Sequence, residues 1–173
     1  RCAWNDQQGH APPIIPGFGL HEVFVVREGL LKTEEEVQLE LPAASPSSTV
    51  SLRGVGLREE LTVISEETRV LGRFENGRTA VTSRRHGRGQ AVAVGTFLGM
   101  ANAQEVHPAT ESFFRRLAEE AGVDRPVSLT GVPEGAFVEV RRLEGSGTQL
   151  LFLFNHSDEA LTVGLSPGQA EDL

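Results

Sequence analysis

The sequence predicts an α/β fold, a layered sheet with a flanking helix, followed by a small antiparallel β domain. Three observations carry that expectation. Gln90-Ala-Val-Ala-Val-Gly-Thr-Phe-Leu98 is a nearly all-apolar run, as expected of a strand covered on both faces inside a layered α/β sheet. Residues 108–121 put Phe113, Phe114, Leu117, Ala118 and Ala121 on one stripe and Arg115, Arg116, Glu119 and Glu120 outside it, which is the pattern of an amphipathic helix. Beyond Pro126 the pattern becomes purely β. The 173 residues then divide into two domains, 1–126 and 127–173.

Taken in order, the chain opens on Arg1-Cys-Ala-Trp-Asn-Asp-Gln-Gln-Gly-His, a polar segment around a single Trp with no apolar periodicity. It reads as a chain met in mid-domain. Ala11-Pro-Pro-Ile-Ile-Pro-Gly-Phe-Gly19 is a rigid loop, because proline fixes the backbone and glycine admits sharp turns. Leu20, Val23 and Phe24 can line one face of a short helical turn. Val37-Gln-Leu-Glu-Leu41 alternates as a half-buried strand does. After a small-residue loop over residues 42–48, Val50-Ser-Leu-Arg53 returns as a second strand, and Leu61-Thr-Val-Ile64 is a further apolar run.

Val70-Leu-Gly-Arg-Phe74 reaches Asn76-Gly77, a strong hairpin signal, and Thr79-Ala-Val-Thr82 continues as the return strand. His86-Gly-Arg-Gly89 turns again into the apolar run. In the helix that follows, Pro108 suits the first turn, Gly122 the position just past the end, and Pro126 blocks continuation. In the tail, Phe137-Val-Glu-Val-Arg141 alternates, Glu144-Gly-Ser-Gly147 turns, and Leu150-Leu-Phe-Leu-Phe154 reads as a buried strand. Asn155-His-Ser-Asp158 turns once more before the alternating Ala160-Leu-Thr-Val-Gly-Leu165. A meander this short makes a weak independent core.

Composition narrows the function. Hydrophobic residues make up 39% and charged residues 23%, ordinary for a soluble globular chain. The net charge of −8, from 24 acidic and 16 basic residues, argues against nucleic acid and anionic membranes as partners, since both are bound by neutralising phosphates. Arg84-Arg85-His86, Arg115-Arg116 and Arg141-Arg142 read as solvated surface. No apolar run approaches the ~20 residues of a membrane span. One cysteine, Cys2, excludes an internal disulfide and a cysteine-based metal site.

Three groups of residues are candidates for chemistry. Gly87-Arg-Gly89 lies between two strands, whereas a phosphate loop needs its glycines between a strand and a helix N-terminus. Cys2, His107 and Glu111 superficially suggest a Cys-His-Glu hydrolase of the amidotransferase type. However, Cys2 has no strand-to-helix elbow, and Glu111 on the first helical turn also suits the helix dipole. Trp4, Asn5 and Asp6 are the candidate substrate-binding residues, an indole to stack on a sugar face with polar neighbours for its hydroxyls. The same three residues also suit a loop anchored by Trp with Asx turns. No catalytic residue, cofactor site or metal site is assigned.

Two parts of the chain resemble the central, trimerisation domain of family 42-type β-galactosidases. They are Trp4-Asn-Asp with Pro13-Ile-Ile-Pro-Gly-Phe-Gly-Leu-His-Glu-Val-Phe24, and Asn76-Gly-Arg-Thr-Ala-Val with His86-Gly-Arg-Gly-Gln-Ala-Val-Ala-Val-Gly-Thr-Phe97. The helix near residues 110–121 and a tail with Leu151-Phe-Leu-Phe-Asn-His156 sit where that family places its last helix and a small C-terminal β domain.

The resemblance implies a partial flavodoxin-like, class I glutamine amidotransferase-like sheet without amidotransferase activity. It also implies a preceding (β/α)₈ barrel, upstream of Arg1, that carries two catalytic glutamates and hydrolyses β-galactosides with retention. The first half of the central domain would lie upstream as well. On this reading the chain is a non-catalytic oligomerisation and accessory segment of a bacterial glycoside hydrolase. Its partners would be copies of itself, the barrel and carbohydrate. The rivals are a carbohydrate-binding module, with Trp4 or Phe152 and Phe154 as platform, and a hydrolase using Cys2 and His107.

Overall fold

The computed structural model describes residues 3–42, 48–123, 127–133 and 135–167. The chain divides into two compact units, Arg1–Ala121 and Gly122–Leu173. The first begins with a looped segment and a short helix, α1 (Leu20–Phe24), where the sequence places a helical turn. Two long strands follow, β1 (Val26–Pro42) and β2 (Thr49–Val63). Each is longer than the sequence suggests, and β2 absorbs both apolar runs read separately at 50–53 and 61–64. Three shorter strands, β3 (Arg69–Phe74), β4 (Thr79–His86) and β5 (Gly89–Val94), lead into two helices, α2 (Leu98–Gln104) and α3 (Pro108–Glu120).

The five strands form one sheet in the order β2-β1-β3-β4-β5. Alternate residues of β1 share a face, and on it Leu39 lies opposite Leu52 of β2 and Phe74 of β3. Val37, Leu39, Leu41, Leu52, Phe74 and Val81 form one core with Leu98 of α2 and Phe113 of α3. Leu39 and Leu52 are fully buried, each contributing about 1.5–3 kcal/mol from removal of apolar surface from water. On α3, Pro108 occupies the first turn and Gly122 follows with φ 68°, as the sequence predicts. The buried stripe is narrower than expected, since Phe113 is 3% exposed and Phe114 43%.

The flavodoxin-like expectation is wrong. Every neighbouring pair in the sheet is antiparallel, whereas a flavodoxin-like sheet is parallel. Parallel neighbours need a crossover of about a dozen residues or more. Here β3 turns into β4 through Asn76-Gly77, and β4 into β5 through Gly87-Arg88, with His86 opposite Gly89. Connections this short allow only antiparallel pairing. The run at 90–98 is therefore no inner strand. It is the edge strand β5, half-buried, and it stops at Val94.

Gly95 explains the stop. Its N–H donates to the Ala80 carbonyl at 2.8 Å, and its own carbonyl accepts from the Glu59 N–H at 2.7 Å. A Cβ at Gly95 would collide with the Glu59 carbonyl. Leu98, read as the end of the strand, instead begins α2, which the sequence reading did not anticipate.

The second unit contains β6 (Val127–Thr130), β7 (Val138–Gly145), β8 (Thr148–Asn155) and β9 (Gly164–Pro167). β6 pairs with β9 and β7 with β8, both antiparallel. The β7–β8 turn falls at Ser146-Gly147, both at positive φ, as a tight hairpin of primed type requires. The expectation of a buried strand at 150–154 fails, because all of β8 is exposed. It has one partner strand, and no layer covers either face among the described residues. The strand read from Ala160 starts only at Gly164. No helix among the described residues is long and apolar enough to cross a membrane.

Candidate functional site

The looped segment before α1 is held to itself and to β1 by main-chain bonds. The Gly17 N–H donates to the Ala3 carbonyl at 3.1 Å, and the Glu28 N–H of β1 donates to the Ile15 carbonyl at 2.9 Å. At Gly17 a Cβ would run into the Pro12 ring and the Ala3 carbonyl, so the loop closes tightly only because this residue is glycine.

Within this frame the three sequence-predicted residues part ways. Trp4 is half-buried and its indole N–H donates to the Glu28 carboxylate. Asp6 organises the loop, since its Oδ1 accepts the Gln8 N–H at 2.9 Å and the His10 N–H at 2.8 Å. Its Oδ2 lies 3.4 Å from Nδ1 of His10. Asn5 is exposed. Asn5 and Asp6 line a hollow of about 510 Å³ with Gln7, Gln8 and Phe18, and Trp4 is not part of it.

Phe18 was missed by the sequence reading. Its ring is 59% exposed and its φ is 54°, a left-handed conformation that is a genuine outlier for a bulky side chain. The available signal was Gly17-Phe-Gly19, a large aromatic between two glycines in a loop with no apolar periodicity.

Cys2 lies outside the described residues. His107 precedes α3, where its N–H donates to the Asn102 side chain at 2.9 Å and its Nδ1 lies 3.4 Å from the Thr110 hydroxyl. The Glu111 N–H donates to the His107 carbonyl at 3.1 Å. No hydrogen bond or ion pair joins the His107 ring to the Glu111 carboxylate among the described residues. No group of three or more His, Cys, Asp and Glu side chains among them is arranged to hold a metal ion.

Two other hollows of the first unit enclose charged side chains on the sheet. One, of about 320 Å³, is walled by Phe24, Leu57, Leu61, Val94 and Phe97 around the buried Glu59. The other, of about 780 Å³, gathers Arg69, Arg84, Arg85 and Arg88 with Ser83 and Gln90. Arg69 enters this group through register, because it lies opposite Ser83 across β3 and β4. Arg84 is paired with Glu67 at 3.0 Å.

In the second unit, Phe152 and Phe154 project from one face of β8, opposite Arg141 and Glu139 of β7. His156 stacks on Phe137 with ring centroids 5.1 Å apart, and its Nε2 lies 3.0 Å from the Glu139 carboxylate. The hydrogen bond with His156, followed by that from Arg141, holds the Glu139 carboxyl below the usual glutamate range.

Comparison with known proteins places these features. Residues 138–173 match the family model of the beta-galactosidase C-terminal domain. The fold is shared with the cold-adapted β-galactosidase of Rahnella sp. R3, at 20% identity and TM-score 0.69 over 90% of this chain and 22% of that one. It is shared also with the β-galactosidase of Bacillus circulans sp. alkalophilus, at 18% identity and TM-score 0.69 over 95% of this chain and 26% of that one. A third likeness is to Gan42B, a GH42 β-galactosidase, at 16% identity and TM-score 0.60 over 95% of this chain and 27% of that one. No curated protein matches the chain. The chain thus spans about a quarter of the length of the solved β-galactosidases it matches. The resemblance to family 42-type β-galactosidases read from the sequence holds, with a C-terminal domain segment at its end.

Proposed function

We propose that this chain is a non-catalytic accessory segment of a glycoside hydrolase similar to β-galactosidase, and that it helps to hold copies of the enzyme together. The observation that carries the reading is the match of residues 138–173 to the beta-galactosidase C-terminal domain, joined to a fold that three solved β-galactosidases share over 90% or more of this chain. Hydrolysis by two carboxylates with retention would then be the work of a barrel elsewhere in the longer protein.

The second unit supports a packing role. Leu150, Phe152 and Phe154 on one face of β8, and Leu151 and Leu153 on the other, are 37–50% exposed, and large exposed apolar side chains gathered on one strand mark a surface made to be covered. The experiment is light scattering across a concentration series, run beside hydrolysis of a chromogenic β-galactoside. Concentration-dependent association without hydrolysis is the expected result. Hydrolysis by the chain that His107→Ala or Cys2→Ala abolishes would overturn the reading, as would a strict monomer at every concentration.

A further inference from the structure

We infer that the hollow shared by Arg69, Arg85 and Arg88 binds a small polyanion built of linked phosphates, a function that stands apart from the accessory reading above. Its walls come from two layers of the first unit. Ser83 of β4 and Gln90 of β5 lie on the sheet side, and Leu117 and Ala121 lie at the C-terminal end of α3. The enclosed volume is about 780 Å³, within the range of roughly 300–1,000 Å³ for small-molecule sites.

Register gathers the charges. Arg69 lies opposite Ser83 across β3 and β4, and Arg85 lies opposite Gln90 across β4 and β5. Arg69 and Arg85 are therefore diagonal neighbours on one face, about 7–8 Å apart by strand geometry. Arg88 joins them from the β4–β5 turn. Like charges gathered on a sheet repel one another, and the nearby carboxylates are already committed. Glu67 pairs with Arg84 at 3.0 Å, and Glu120 pairs with Arg116 at 3.7 Å. Among the described residues, the side chains of Arg69, Arg85 and Arg88 have no ion pair or hydrogen bond, although the chain carries 24 acidic residues.

A second observation comes from Ser83, which lines the same hollow and is 5% exposed. Its oxygen accepts from the side-chain amide of Gln90, so its hydroxyl proton is left to donate. No acceptor takes that proton among the described residues. A buried hydroxyl donor beside three guanidinium groups suits a ligand that only accepts. Guanidinium forks grip phosphate oxygens in pairs. A single phosphate cannot span forks on three neighbouring positions, whereas linked phosphates can. A nucleic acid backbone would extend past the hollow and meet the net charge of −8 on the rest of the chain, which repels a long polyanion more than a short one. The grip comes from side chains and not from the main chain of a glycine loop, so the place of Gly87 and Gly89 between two strands does not oppose it.

The test is a calorimetric titration of the full chain with tripolyphosphate at low salt. Saturable binding is expected, and it should weaken as salt is raised. Arg85 and Arg88 are exposed, so their replacement spares the core. Arg85→Gln and Arg88→Gln should each weaken binding by about tenfold or more, and Ser83→Ala should weaken it by less. Arg115→Gln removes the same charge from an exposed position on α3 outside the hollow and should leave binding unchanged. An equal loss in Arg115→Gln and Arg85→Gln would show that diffuse charge alone attracts the anion, and would overturn the inference. No binding by the folded chain would overturn it as well, and so would a DNA oligonucleotide that binds as tightly as tripolyphosphate.

Discussion

Two aromatic residues in one loop illustrate how composition misdirects at the scale of the residue. Tryptophan is the stronger stacking residue in general, and Trp4 beside Asn5 and Asp6 has the composition of a sugar platform. Its indole N–H is nevertheless committed to Glu28, and a half-buried ring so tethered has little free face. Phe18 has no polar atom to tether, and its backbone holds it outward. Trp4→Phe tests the anchoring bond. Losing a hydrogen bond to a charged carboxylate at a half-buried site is expected to lower unfolding stability by about 1–2 kcal/mol, read from urea denaturation. Unchanged stability would mean that the bond to Glu28 does not anchor the loop. The choice between the rings could not be read from the sequence, because it depends on Glu28, a residue 24 positions away.

At the scale of the element, what was legible is what is encoded locally. Pro108 and Gly122 bracket α3 where caps belong, and Asn76-Gly77 turns a hairpin. What was lost is what depends on neighbours. An apolar run such as 90–98 says that something covers it, without saying whether that cover is a second face or an edge beside a helix. The short turns on its N-terminal side already excluded parallel pairing, and weighing them above the apolar run would have corrected the fold class.

The β7–β8 hairpin offers a test at this scale through Glu139. Its carboxyl is held low by the hydrogen bond to His156 first and by Arg141 second. A carboxylate depressed in the folded state contributes stability above its unfolded pKa, and that contribution is lost as pH falls through the folded value. The hairpin pairing should therefore survive mild acid and weaken below the ordinary glutamate range. Following the Glu139 carboxyl shift against pH, His156→Ala should raise its midpoint toward the ordinary value by more than Arg141→Ala does. The reverse order would mean that the arginine dominates.

Across the whole molecule, the buried side chains are distributed unequally. Every described residue that is buried, from Pro16 to Phe113, belongs to the first unit. The second unit has two two-stranded pairings and no buried residue among those described. A two-stranded hairpin is marginal in water without a covering layer, whereas a sheet cored by Leu39, Leu52, Val81 and Phe113 retains its amides through the free energy of global unfolding. Hydrogen exchange on the dilute chain should therefore protect β1, β2 and β4 strongly and β7 and β8 weakly. If the apolar hairpin is made to be covered by another copy, protection of β7 and β8 should rise with concentration while that of the first unit stays level. Phe152→Ser with Phe154→Ser should abolish the rise and leave the first unit untouched. Strong protection of β7 and β8 at the lowest concentration would mean that the hairpin is stable without a covering copy, and the case for assembly through its exposed strand would fall.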